Sequence, residues 1–88
     1  MPWQLVVAPA VERTLGRLTD KVAAAIVEFM VGPLLEEPGR VGEPLQRELA
    51  DYWSARRGSY RVIYRLDEER REVRVVRIEH RSDVYRSR

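Results

Sequence analysis

The chain has 88 residues, of which 44% are hydrophobic and 34% are charged, and its formal net charge is +2. These values indicate one globular domain, residues 1–88, with a small core, and they exclude a disordered chain. Cysteine is absent and histidine occurs once, which excludes disulfide bonds, cysteine metal sites and a metal centre built from several histidines.

The charge is unevenly distributed along the chain. Residues 1–50 carry 5 Lys/Arg and 7 Asp/Glu, whereas residues 51–88 carry 11 Arg and 7 Asp/Glu. Lys21 is the one lysine among the 16 basic residues. This preference for arginine favours planar, bidentate contacts to phosphate or carboxylate groups, although a GC-rich genome produces the same bias.

The first half of the chain predicts one strand and two helices. Trp3–Val7 is predicted to be a strand that Pro9 ends, and Ala10–Leu18 a helix. Thr19 can cap a second helix, Lys21–Val31, whose apolar stripe indicates core packing. After a last helical turn at Leu34–Glu37 and a loop at Pro38–Pro44, we expect Leu45 and Leu49 to anchor a short segment that leads into the sheet.

The second half predicts two successive β-hairpins. Gly58-Ser59 suits a type II′ turn, which sets Arg56 opposite Arg61 and Trp53 opposite Tyr64. One face of this hairpin is apolar, with Trp53, Tyr60 and Tyr64 assigned to the core. The other face carries Ser54, Arg56, Arg61, Ile63 and Arg65.

The turn after the second strand is predicted to be the five residues Asp67–Arg71. This turn pairs Leu66 with Glu72, Val62 with Val76, Arg61 with Arg77 and Tyr60 with Ile78. An odd turn length is preferred because an even length would bury Arg77, which is costly.

A row of three arginines, Arg56, Arg61 and Arg77, therefore crosses the polar face of the predicted sheet. Like charges directly opposite each other destabilise a sheet, so folding gives no reason to align them. Binding a polyanion does give a reason, because guanidinium groups bind phosphate bidentately. The alternative is a solvated face whose arginines pair with Glu72, Glu79 or Asp83.

The predicted fold is α+β, in the order β-α-α-β-β-β, with a helical hairpin on one face of a small, mostly antiparallel sheet.

The segments FMVGPLLEEPGRVGEPL (29–45), SARRGSYRVIYRLD (54–67) and HRSDVYR (80–86), together with the order of elements, resemble the RelE branch of the RelE/ParE toxin superfamily. The resemblance implies a RelE-like fold and a cytoplasmic bacterial type II toxin, neutralised by a cognate RelB-like antitoxin. It further implies cleavage of mRNA in the ribosomal A site by attack of the ribose 2′-OH on the adjacent phosphate, without a metal or another cofactor. The ParE-like branch instead inhibits DNA gyrase, and a binding module that has lost catalysis is a further alternative.

The resemblance also assigns residues to this chemistry. Arg61 matches the arginine that contacts the scissile phosphate, and Arg56, Arg77 and Ser54 are expected to bind RNA. His80 is the expected acid or base because it alone titrates near neutrality, unless it is a hydrogen-bonded strand-end histidine. Arg81 can neutralise the transition state or pair with Asp83, and Tyr85 can stack on a base, share a proton or pack in the core.

Two features qualify these expectations. Some nucleases of the family have a pair of lysines at positions that look like Tyr52 and Ser54 here, so this chain lacks two candidate catalytic cations. The chain also has no recognisable DNA-reading helix, and we expect binding to operator DNA only through the antitoxin. Neither a signal peptide nor a membrane-spanning segment is evident.

Overall fold

The structure, a computed structural model, describes residues 2–45 and 51–80. Five strands form one sheet in the order β1-β5-β4-β3-β2, in which β1 is parallel to β5 and the other neighbours are antiparallel. The elements are β1 (Gln4–Val7), α1 (Pro9–Arg17), α2 (Asp20–Val31), α3 (Pro33–Glu36), α4 (Pro38–Val41), β2 (Glu43–Pro44), β3 (Trp53–Arg57), β4 (Tyr60–Asp67) and β5 (Glu72–His80). The predicted α+β class is confirmed.

Helices α1, α2 and α3 begin within one residue of their predicted positions, whereas α4 lies in the segment Pro38–Pro44 that is predicted to be a loop. Pro9 occupies the first turn of α1, where its missing N–H costs nothing. The backbone N–H of Val22 donates to Thr19 Oγ1 at 3.3 Å, which confirms Thr19 as the cap of α2. The apolar sides of these helices cover one face of the sheet.

The core lies between the helices and that covered face. Its buried members are Val11, Ile26, Phe29, Met30, Leu34, Ala55, Val62, Tyr64, Val73, Val75 and Ile78. Tyr64 is fully buried and is tied to the end of the helical region, because its hydroxyl donates to the Pro38 carbonyl at 2.6 Å. Burial raises the pKa of Tyr64 to about 12.

The first hairpin has the predicted register. Arg56 lies opposite Arg61, and Trp53 lies opposite Tyr64 with the two rings stacked at 6.3 Å between centroids. Gly58 has φ of 63°, which a type II′ turn requires at its first central position. The turn residue alone was therefore enough to set which side chains share a face.

The predicted register of the second hairpin is wrong. Asp67 pairs with Glu72, so the turn has the four residues 68–71, and Leu66 lies opposite Val73. A β-bulge then shifts the pairing by one residue between Ile63 and Tyr64. Each β5 side chain beyond the bulge therefore lies on the face opposite to the one it would occupy without the bulge.

The even turn and the bulge together keep Arg77 out of the core, but its neighbours differ from those predicted. Arg77 lies opposite Ile63, and Arg61 lies opposite Glu79. The remaining corrected pairs are Val62 with Ile78 and Tyr60 with His80. Turn length alone does not predict these partners, because the bulge adds one unpaired residue to β5.

Candidate phosphate-binding cleft

Arg56 and Arg61 lie side by side on the face of the sheet opposite the core, which we call the open face. They are directly opposite each other on β3 and β4. The guanidinium of Arg61 is oriented by Ser54, because Arg61 Nε donates to Ser54 Oγ at 3.0 Å. That hydrogen bond uses Nε, so the two terminal amino groups of Arg61 can serve as donors to a phosphate.

The two arginines line a cleft of about 380 Å³, the arginine cleft. Its other wall comes from the end of α4 and from β2. The lining residues are Val41, Glu43, Pro44, Leu45, Ser54, Arg56 and Arg61. Glu43 is opposite Ser54, which puts a carboxylate in the same cleft as the two guanidinium groups.

Pro38–Pro44 is predicted to be a loop, so the prediction from sequence does not include this wall. A strand of two residues has no alternation of apolar and polar side chains, so periodicity does not reveal it. Gly42 is the one local signal: a Cβ there would lie 2.3 Å from the Tyr64 hydroxyl and 2.8 Å from the Ser54 carbonyl oxygen. The wall of the arginine cleft thus packs directly against the buried tyrosine.

Arg77 is not the third member of a straight row. Its side chain is 64% exposed and forms an ion pair with Glu79, the residue opposite Arg61. Glu79 on β5 therefore neutralises part of the positive charge near the cleft. For Arg77, this is the ion pair that the alternative of a solvated sheet face predicts.

His80 lies on the other face of the sheet from Arg61. It is opposite Tyr60, in line with Val62 and Ile78 on the core side, and the two rings meet edge to face at 4.9 Å between centroids. The structure therefore does not bring His80 into the arginine cleft, because His80 lies two residues after Ile78 on β5 and so shares its core side of the sheet. Its role as acid or base stays a prediction.

The remaining predicted positions divide into two groups. Tyr52 lies beneath Arg65, whose guanidinium carbon is 5.3 Å from the ring centroid. Arg81 and Tyr85 lie outside the described residues.

In residues 2–45 and 51–80, no three His, Asp or Glu side chains are grouped closely enough to hold a metal ion. In the same residues, none of the helices is long and apolar enough to cross a membrane.

Comparisons with known proteins agree with this architecture. Residues 5–85 match the family model described as the ParE toxin of the type II toxin–antitoxin system parDE. Toxin RelG of Mycobacterium tuberculosis is 48% identical over 86 residues, covering 98% of this chain and 99% of the relative. Toxin RelE of the same organism is 45% identical over 85 residues, covering 97% of this chain and 88% of the relative.

Solved structures give the same result. A chain of the toxin–antitoxin complex RelBE2 from M. tuberculosis is 46% identical with a TM-score of 0.87, covering 92% of this chain and 100% of that chain. The isolated RelE toxin of E. coli, at 23% identity and a TM-score of 0.71, covers 94% of this chain and 90% of that chain and shows the shared fold. This chain is therefore a RelE-like toxin of a type II toxin–antitoxin system and belongs to the RelE/ParE family.

Proposed function

We propose that this toxin is an endoribonuclease that cleaves mRNA in the ribosomal A site and so stops translation. The observation that carries the proposal is the pair Arg56 and Arg61 in one cleft, with Arg61 oriented by Ser54. Cleavage by the 2′-OH forms a bond from that oxygen to phosphorus and breaks the bond from phosphorus to the 5′-oxygen. Charge accumulates on the non-bridging oxygens, where the Arg61 amino groups can stabilise it.

The 2′-OH must lose a proton as it attacks. Glu43 is the carboxylate that lines the arginine cleft, so we assign it as the general base. The leaving 5′-oxygen must gain a proton. The sequence-based candidates for that step are Arg81 and Tyr85, which lie outside the described residues, because His80 lies on the other face of the sheet.

The assignment of Glu43 can be separated from that of His80. We expect Glu43→Gln to lower the cleavage rate by about 10²–10⁴-fold, the usual contribution of a general base. His80→Asn tests the alternative base. If His80→Asn slows cleavage by this factor and Glu43→Gln leaves the rate unchanged, the assignment of Glu43 is wrong.

A cognate antitoxin is the proposed partner, because the RelBE2 chain 46% identical to this one was solved as a toxin–antitoxin complex. We propose that the antitoxin is RelB-like, that it supplies the contact with operator DNA, and that the toxin acts in the cytoplasm, where ribosomes are. A gel-shift experiment with operator DNA tests the DNA contact. The isolated toxin should give no specific shift, and a specific shift by the toxin alone would contradict this part.

The experiment for the proposed function is primer-extension mapping of mRNA incubated with the purified toxin, with and without translating ribosomes. The expected result is cuts within codons that appear only when ribosomes are present. The family model describes a ParE toxin, so a gyrase supercoiling assay runs in parallel. Intact mRNA together with lost supercoiling would replace the nuclease proposal by gyrase inhibition, and activity in neither assay would favour a binding module.

A further inference from the structure

The hydroxyl of Tyr64 contacts the back of the wall that α4 and β2 form on one side of the arginine cleft. Tyr64 is fully buried, and its hydroxyl donates to the Pro38 carbonyl at 2.6 Å. Pro38 is the first residue of α4, and Gly42 follows the last one. A Cβ on Gly42 would collide with the same hydroxyl. One hydroxyl group therefore contacts the wall at both ends of α4.

The wall is made of two very short elements, since α4 has four residues and β2 has two. A helix and a strand of this length are not stable by themselves, so their position depends on contacts with the rest of the domain. Such contacts are the pairing of β2 with β3 and a backbone hydrogen bond from the Leu45 N–H to the Tyr52 carbonyl, at 2.8 Å. The Tyr64 hydroxyl supplies another, from β4 to the start of α4.

Glu43 depends on this wall for its position in the cleft. It is the first residue of β2, directly after Gly42, and it lies opposite Ser54 on β3. Arg61 is held separately, because its Nε donates to Ser54 Oγ within the hairpin of β3 and β4. A movement of the wall would therefore shift Glu43 relative to Arg61 and leave the guanidinium in place.

We propose that Tyr64 is a positioning residue for cleavage, whose hydroxyl holds Glu43 at the distance from Arg61 that the reaction needs. The inference rests on the proposed function, in which Glu43 takes the proton of the 2′-OH while Arg61 stabilises charge on the phosphate. Tyr64 is fully buried and acts through the wall, without contact to RNA. A general base must be within hydrogen-bond reach of its proton, and a misplacement of about 1 Å slows a reaction by about 10²-fold.

The test is a double-mutant cycle of Tyr64→Phe and Glu43→Gln, measured as the single-turnover rate of cleavage of ribosome-bound mRNA. With Glu43 present, Tyr64→Phe should slow cleavage by about 10–10²-fold. In the Glu43→Gln background it should cause no further slowing, because no base remains to be misplaced. Equal slowing in both backgrounds would overturn the proposal, since the hydroxyl would then act on the whole fold and not through Glu43.

Two further measurements separate positioning from a loss of stability. Affinity for a 2′-O-methyl trinucleotide, which cannot be cut, should be the same for Tyr64→Phe and the wild type, because the arginines stay in place. The matched control is Ile26→Val or Ile26→Ala, whichever has the Tm closer to that of Tyr64→Phe. Ile26 is a buried residue of α2 outside the lining of the arginine cleft, so the folded control should cleave at the wild-type rate. Slowing by the control equal to that by Tyr64→Phe would overturn the proposal.

Hydrogen exchange tests the same contact without cleavage. The N–H of Leu45, which donates to the Tyr52 carbonyl just after β2, should exchange faster in Tyr64→Phe than in the Ile26 control. Faster exchange in a toxin that leaves translated mRNA intact would refute the nuclease proposal, although Tyr64 would still position the wall. A toxin that cuts mRNA and shows equal slowing in both backgrounds would refute only the role of Tyr64.

Gly42→Ala alters the same contact from the other side. It keeps the tyrosine hydroxyl but introduces a methyl group that collides with it, so it too should displace Glu43. If Tyr64→Phe does not fold, the cycle of Gly42→Ala with Glu43→Gln takes its place. Slowing that disappears in the Glu43→Gln background would support the proposal, and equal slowing in both backgrounds would overturn it.

Discussion

Removal of one hydroxyl group, by Tyr64→Phe, tests how the helical region is joined to the sheet. Tyr64 is fully buried and donates to the Pro38 carbonyl at 2.6 Å. Phenylalanine keeps the ring but leaves that carbonyl without its partner, which costs about 1–3 kcal/mol of unfolding free energy. In a domain of this size, each 1 kcal/mol corresponds to a fall in Tm of about 4–8 °C.

The same hydroxyl makes the effect depend on pH. Burial raises the pKa of Tyr64 to about 12, whereas an unfolded tyrosine ionises near 10. Between these values the unfolded state binds fewer protons than the folded state, so stability falls as pH rises. Its full contribution is present well below pH 10, and about 2 kcal/mol is lost by pH 12, where the folded tyrosine is half ionised, at 1.36 kcal/mol per pKa unit.

Urea denaturation followed by circular dichroism at pH 8, 10 and 11.5 measures both effects. Tyr64→Phe should be less stable than the wild type at pH 8, and the difference should shrink above pH 10 because the variant lacks this titration. Tyr60→Phe is the control, since that ring is only partly buried. An unchanged stability at pH 8, or a difference that is constant up to pH 11.5, would refute the reasoning.

Two glycine substitutions give further predictions. Gly42→Ala places a Cβ within 3 Å of the Tyr64 hydroxyl and of the Ser54 carbonyl oxygen, so the wall of the arginine cleft must move. We expect lower stability by urea denaturation and slower mRNA cleavage. An unchanged cleavage rate would show that the wall does not shape the site. Gly58→Ala introduces a Cβ at φ of 63° with open space around it. Thermal denaturation should therefore show that the free energy of unfolding falls by about 1–2 kcal/mol from backbone strain alone. Cleavage at the wild-type rate would show that the turn is not part of the site.

The two hairpins differ in how well their sequences predict them. Gly58-Ser59 has one favourable turn type, and the register of the first hairpin follows from it. The second turn is made of charged residues that fit several lengths, and Arg71 adopts φ of 54° at its end. The bulge opposite Ile63 has no glycine or proline to mark it in the sequence. Side-chain alternation therefore predicted the faces of Arg77 and Ile78 beyond the bulge but not their partners, and it predicted the wrong partners between the turn and the bulge.

The candidate site was predictable where it rests on the first hairpin and not elsewhere. Arg56, Arg61 and Ser54 were placed together correctly because they flank a well-defined turn. Glu43 was missed because its strand has two residues. His80 was assigned to the same site by resemblance, whereas it alternates with Ile78 on the core side of the sheet and contacts Tyr60.

The most direct test of the central claim, that Arg61 in the arginine cleft acts on the scissile phosphate, is the single-turnover rate of cleavage of ribosome-bound mRNA by Arg61→Ala. The matched control is Arg70→Ala, an exposed arginine in the second turn. Loss of a group that stabilises transition-state charge should slow cleavage by about 10²–10³-fold, with the control at the wild-type rate. Wild-type cleavage by a folded Arg61→Ala protein would contradict the account.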